Sequence, residues 1–360
     1  MTQTDSSAAV ASNNSSGGLV TPVVRILAGF IVTMALLFLF NNYLTFWRDW
    51  PGVMALFAHL NESARTPLAD EGLKLGWTQL IIYIVGLLAM AGFVLKTPQR
   101  SLRTDAQLWS DFAAYIVRAA FWTVVMVGLV DSLISFMRIE GFLEAMVGSE
   151  LSKELGRPQF RGTYVHYPLM LVAFVLAGFI RTLGFTWLAL LVVLAEFQIV
   201  LSRFVFSYEQ AFMGDLVRFW YAALFLFASA YTLIHDGHVR VDVLYARFDH
   251  RVKAWANIGG LTLLGLPLCW VILTTGMWSK GSSINSPLLS FEITQSGYGL
   301  YVKYLMVGFL VVFALSMIVQ FASYLLSNVA DLREEDEEGD EHGMRVQSNQ
   351  SDDGLTIASN

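Results

Sequence analysis

Long apolar runs separated by short polar breaks occupy most of the 360-residue chain. A helix needs about 20 predominantly apolar residues to cross the hydrocarbon core of a bilayer. The runs at 23–47, 75–95, 108–136, 164–181, 185–206, 216–234, 254–278 and 300–328 meet that length. The fourth and fifth come from one stretch, Tyr164 to Phe206, which is too long for a single span and divides at Arg181-Thr-Leu-Gly184. Pro267, inside the seventh run, predicts a kink near Gly265–Pro267. Gly141 to Leu155, in a loop with four acids and four bases between 138 and 162, reads as a short surface helix. The pattern predicts an all-α polytopic membrane protein of about eight transmembrane helices, with a further interfacial helix near 238–252.

Composition agrees with this pattern: 55% of residues are hydrophobic and 14% charged, with a mean hydropathy of +0.55. A water-soluble fold could not hide so much apolar surface. The ten tryptophans and thirteen tyrosines suit aromatic belts at two membrane interfaces. The single cysteine, Cys269, excludes an intrachain disulfide and a cysteine-based metal cluster. The net charge of −6 is concentrated in one tail, Asp331 to Glu341, and implies no particular partner. Met1 to Gly18 lacks the basic start and apolar core of a cleavable signal. The expected organisation is a polar arm (1–20), four helices (21–183), four more (184–328) and an acidic tail (329–360).

Charge at the loops sets orientation. With the N-terminus in the cytoplasm, Lys96, Arg100, Arg103, Arg181, Arg240, Arg247, Arg251 and Lys253 fall in short inner loops with few acids beside them. Their density favours a bacterial inner membrane protein with both termini inside.

Ionisable residues inside apolar runs are functional candidates, because each is costly at the bilayer centre. Arg118, Asp131 and Glu196 qualify. Glu196 is a candidate partner for Arg118 inside the bundle, whereas Asp131 stands near the outer end of its helix and can instead reach the interface. His235 and His238 are three residues apart at one boundary, so they cannot clasp a haem between them. The chain shows no metal-ligand set, P-loop or hydrolase motif, and it is expected to be neither an enzyme nor a cofactor carrier. Nothing in it points to nucleic acid.

The stretch from Tyr231 to Phe248, between the sixth and seventh runs, is the most distinctive. On a helix begun at Val239, Arg240, Arg247 and Arg251 form one basic stripe, with Asp242 nearly opposite. Such a stripe suits anionic lipid headgroups or a partner subunit, although loop charges of this kind also do no more than fix topology. Tyr231-Thr-Leu followed by Asp236-Gly-His-Val-Arg-Val-Asp-Val-Leu-Tyr245 resembles the signature of the small membrane subunit, the DctQ type, of tripartite ATP-independent periplasmic (TRAP) transporters. Ser202-Arg-Phe-Val-Phe206, Asp215 to Arg218, Gly259-Gly260, Leu266-Pro-Leu-Cys269, Lys303 and Gln320 extend the resemblance over 185–328. Gly297-Tyr-Gly-Leu300 lacks the proline of the family pattern, and 20–183 has no counterpart in the short form of the family.

The resemblance implies a sodium-coupled importer of organic anions, usually carboxylates. In it, a periplasmic substrate-binding protein delivers solute to a large membrane subunit (DctM type), and the small subunit braces that large one. His238, Arg240, Asp242, Arg247 and Arg251 then become contact residues toward the large subunit or the lipid bilayer. Asp215 and Arg218 join them at the outer end of the sixth helix, where they can also form a simple intrahelical pair. The alternative is a stand-alone transporter or channel working through its own eight-helix bundle.

Overall fold

A computed structural model describes residues 20–62, 67–181, 185–234, 245–293 and 299–333. Among these residues the regular structure is entirely helical. We label the helices α1 (Val20–Trp47), α2 (Val53–Leu60), α3 (Asp70–Lys96), α4 (Leu102–Ile139), α5 (Phe142–Val147), α6 (Ser149–Leu155), α7 (Pro158–Phe179), α8 (Phe185–Phe206), α9 (Ala211–Ile234), α10 (His250–Met277), α11 (Asn285–Ser290) and α12 (Lys303–Leu332). Eight of them, α1, α3, α4, α7, α8, α9, α10 and α12, are long and apolar enough to cross a membrane.

The spans fall where the apolar runs place them but extend past most of their ends. α4 begins at Leu102 because the Ser101 hydroxyl accepts the Thr104 N–H at 3.1 Å, capping a first turn too polar to register as membrane-embedded. The loop after α1 contains a helix, α2, that hydropathy does not reveal. Gly141 to Leu155 is two short helices rather than one, broken at Gly148, whose φ of 84° lies in the region that favours glycine.

Two spans carry a π turn just ahead of a proline. Gly162–His166 precedes Pro168 in α7, and Leu261–Gly265 precedes Pro267 in α10. Proline lacks an N–H and its ring crowds the carbonyl four residues back, so a regular α turn there is strained. Each chain relaxes by widening one turn, with Tyr167 N–H bonding to Gly162 O and Leu266 N–H to Leu261 O, five residues back. The irregularity expected near Gly265–Pro267 takes this form.

The chain's two halves are not packed as separate units. α4 and α12 lie side by side at the centre, with α7 and α9 on α4, α1 on α12, and α3 outside α1. One buried cluster joins Phe121, Val124 and Val127 of α4 to Phe219, Trp220 and Phe227 of α9 and to Phe309 of α12. A second joins Ala28 and Val32 of α1 to Leu273 of α10 and Ile318 and Ala322 of α12. Both cross the line at 183/184. α8 rests mainly on α9, at the periphery.

The α4–α9 contact depends on Gly128. A Cβ there would lie 2.5 Å from Trp220 Nε1, which donates to the Val124 carbonyl at 3.1 Å. Gly128→Ala should therefore destabilise the bundle by about 1–3 kcal/mol, the usual range for overpacking. Thermal unfolding in detergent would show this as a lowered midpoint, and Trp220→Phe in the same chain should restore much of the loss.

Candidate functional site: a buried carboxylate hub

Three spans and one loop meet at Asp131 of α4, whose side chain is fully buried. It does not reach the interface. Arg161 Nη1 and His166 Nε2, both from α7, each lie 3.0 Å from the same oxygen, Oδ1. The other oxygen, Oδ2, accepts the Tyr301 backbone N–H at 2.7 Å. His166 Nδ1 is 2.9 Å from the hydroxyl of Tyr304 in the first turn of α12. A carboxylate only accepts, so the Nε2 proton points at Asp131; a neutral ring then accepts from Tyr304 O–H. With His166 neutral, Arg161 and Asp131 balance and the hub carries no net charge.

Arg161 is fully buried too. It donates through Nε to Leu155 O at 2.9 Å and through Nη1 to Ser135 Oγ at 3.2 Å. Its guanidinium carbon lies 4.0 Å from the centre of the Tyr301 ring, a cation–π stack that occupies one face. The Tyr301 hydroxyl accepts from Arg138 Nη1 at 2.6 Å and donates to Gly156 O at 3.0 Å.

Local sequence builds this grip. On a regular helix Arg161 and His166, five residues apart, point well away from each other. The π turn ahead of Pro168 closes over five residues and brings both onto one carboxylate oxygen. Gly162, inside that turn, lets Phe291 pack against the backbone; a Cβ there would lie 2.3 Å from the ring.

A second carboxylate fixes the same loop. Asp215 of α9 is buried, and its Oδ2 accepts the Leu300 N–H at 3.1 Å. Consecutive amides, Leu300 and Tyr301, are thus held by acids from α9 and α4. Lys303, at the start of α12, closes on Glu292. Arg218 lies 3.5 Å from Asp215 Oδ1, so the intrahelical pair forms, with the Asp215 side chain buried and that of Arg218 76% exposed.

At the other end of α4 a matching arrangement holds Asp105. Arg25 of α1, 2% exposed, donates to Asp105 Oδ2 at 2.6 Å, to Thr97 O at 2.7 Å and to Thr97 Oγ1 at 2.9 Å. Arg100 Nε lies 2.8 Å from Asp105 Oδ1 as an ion pair without hydrogen-bond alignment.

The candidate Arg118–Glu196 pair does not form. α8 packs on α9 rather than α4, and Glu196 faces away from the bundle. Arg118 is half-buried with its Nε unpaired, and Asp111, two turns back on its own helix, is the acid that acts on it.

His238, Arg240 and Asp242 lie outside the described residues. Arg247 ends a 3₁₀ turn, Tyr245–Arg247, and Arg251 stands exposed in the first turn of α10. A bend at Phe248 and Asp249 separates them, so one continuous helix does not carry both. The turn is tied to the bundle by Tyr245 Oη donating to Asn257 Oδ1 at 3.0 Å and Asn257 Nδ2 donating to Asn328 Oδ1 at 2.8 Å. Among the described residues, no group of acids, histidines and cysteine is arranged to hold a metal ion.

Removing one partner from a buried ion pair strands the other charge, at about 3–5 kcal/mol, whereas an apolar replacement of both is often neutral. Asp131→Ala should therefore sharply lower the monodisperse yield and thermal midpoint in detergent. The double variant Asp131→Leu/Arg161→Leu should recover a large part of both.

The comparison with known families falls on the C-terminal half. Residues 188–327 match the family model described as tripartite ATP-independent periplasmic transporters, DctQ component. No curated protein and no solved structure matches the chain. The matched segment contains all but the first residues of α8, the whole of α9 to α11 and all but the end of α12, and the family is one of transporter components rather than enzymes. Residues 188–327 of this multi-pass membrane protein are thus similar to the DctQ component of TRAP transporters, and the helices of 20–179 precede and pack into that matched segment.

Proposed function

We propose that this chain is the small permease subunit of a sodium-coupled, binding-protein-dependent importer of organic anions, carboxylates foremost, in the bacterial inner membrane. It acts as a scaffold: a DctM-type large subunit carries the solute, and a periplasmic protein delivers it. The match over 188–327 carries this reading.

The character of the interior supports a bracing role over independent transport. Asp131, Arg161, Asp105 and Arg25 are all enclosed in bonds between helices. A solute or proton path uses charged groups that face a water-filled cavity. A groove of about 410 Å³ between α4, α8 and α9 is lined mostly by Leu, Phe and Met. The basic loops at the end where the N-terminus lies favour cytoplasmic termini.

Co-expression of the tagged chain with the large membrane subunit should yield a stoichiometric complex in detergent. Arg240→Glu/Arg247→Glu should weaken it if the basic segment lies at the joint. A chain that purifies alone and carries solute in proteoliposomes would overturn the subunit reading.

A further inference from the structure

α8 is held to the bundle along one side. Leu188 and Ala195 are buried against its neighbours, at 1% and 5% exposure, while Trp187, Leu190, Val193, Phe197, Val200 and Phe204 face outward. Within that apolar surface stands Glu196, exposed. It is near the middle of a 22-residue helix, roughly 15 Å from either end and so at the bilayer midplane. Among the described residues no hydrogen bond or ion pair reaches its carboxylate. Asp105 and Asp131, by contrast, are enclosed by arginines inside the bundle.

A carboxylate facing hydrocarbon at the centre of a span is strongly disfavoured, and in membrane proteins such groups turn toward a protein partner. Lipid tails offer no donor at this depth. A second copy of the chain laid symmetrically on this face would bring the same patch onto itself. Glu196 would then meet apolar side chains and another Glu196, two carboxyl groups that avoid like-charge repulsion only by holding a proton between them. A different polypeptide with a donor at mid-height satisfies both the apolar surface and the acid.

We propose that the outward face of α8, centred on Glu196, is covered in the assembled transporter by a membrane-spanning helix of the large subunit that presents a hydrogen-bond donor to the Glu196 carboxylate. This rests on the TRAP-subunit reading. Val193, Phe197 and Val200 lie one turn or one residue from Glu196 and form the apolar rim of the contact. The donor is a basic, hydroxyl or amide side chain, since the acceptor is a single carboxylate in a dry layer.

The test uses the full chain co-expressed with the large subunit and a photo-crosslinking phenylalanine analogue at Phe197. Crosslinking to the large subunit is expected, as is a roughly three- to tenfold fall in recovered large subunit for Glu196→Leu, the range measured for interhelical polar contacts. Glu196→Gln, which still hydrogen-bonds, should retain most of the recovery. Both variants should fold, because Glu196 is exposed and among the described residues no hydrogen bond or ion pair holds its side chain. A complex that isolates intact while Phe197 labels only lipid or a second copy of this chain would overturn the docking face and leave the subunit reading standing. Unchanged recovery for Glu196→Leu would do the same. If the unaltered chain forms no complex at all, both readings fall together.

Discussion

The packing of α7 and of the start of α12 against α4 depends on one carboxylate that cannot reach water. Asp131 is buried within a membrane span, where an unpaired acid would be severely destabilising. Its two oxygens accept from a guanidinium, an imidazole and a backbone amide, drawn from α7 and from the loop before α12. Each donor fixes something else in turn. Arg161 orders the end of α6 through Leu155, His166 orders Tyr304, and the Tyr301 amide sets the course of the chain into α12. A shift of α7 by one turn along α4 would break these contacts together and leave charge unpaired in a dry interior.

Seen along α4, that arrangement has a counterpart. Asp105 near one end and Asp131 near the other are roughly 39 Å apart along the axis, and each is gripped by an arginine from a neighbouring segment. Between them the contacts are apolar and close, with Gly128 admitting the Trp220 indole. Apolar packing alone discriminates poorly between registers in lipid, because hydrocarbon tails compete for the same surfaces. Buried ion pairs add little net stability over apolar substitutes, but breaking one is costly. Two of them at opposite ends therefore fix α4 in both height and rotation.

The number and location of the spans were legible because bilayer thickness imposes a length that hydropathy measures directly. So was the division of Tyr164 to Phe206, where Arg181 interrupts an otherwise apolar stretch. Asp131 stood out as an acid in an apolar run, yet its partners did not. Arg161 looks like any charge at a loop boundary, and its alignment with His166 depends on a π turn whose sequence trace is only Pro168. Arg25 and Asp105 are hidden for a similar reason, since charges near span ends resemble ordinary interfacial residues. The pairing of Arg118 with Glu196 failed because sequence gives height along each helix but not which helices are neighbours.

The position of α4 bears on what the N-terminal helices do. Had 20–179 been an accessory bundle beside the family domain, its contact with that domain would have been a surface of its own helices' outer faces. Instead α4 lies against α9 and α12, and its Asp131 holds the segment that leads into α12. The same segment is held from the family side by Asp215, through the adjacent amide of Leu300. One acid from each half thus restrains two neighbouring residues, and displacement of either half would release a buried backbone N–H from its acceptor. The N-terminal end of α12 is consequently determined jointly by both halves, so the added helices are packed into the matched segment rather than beside it.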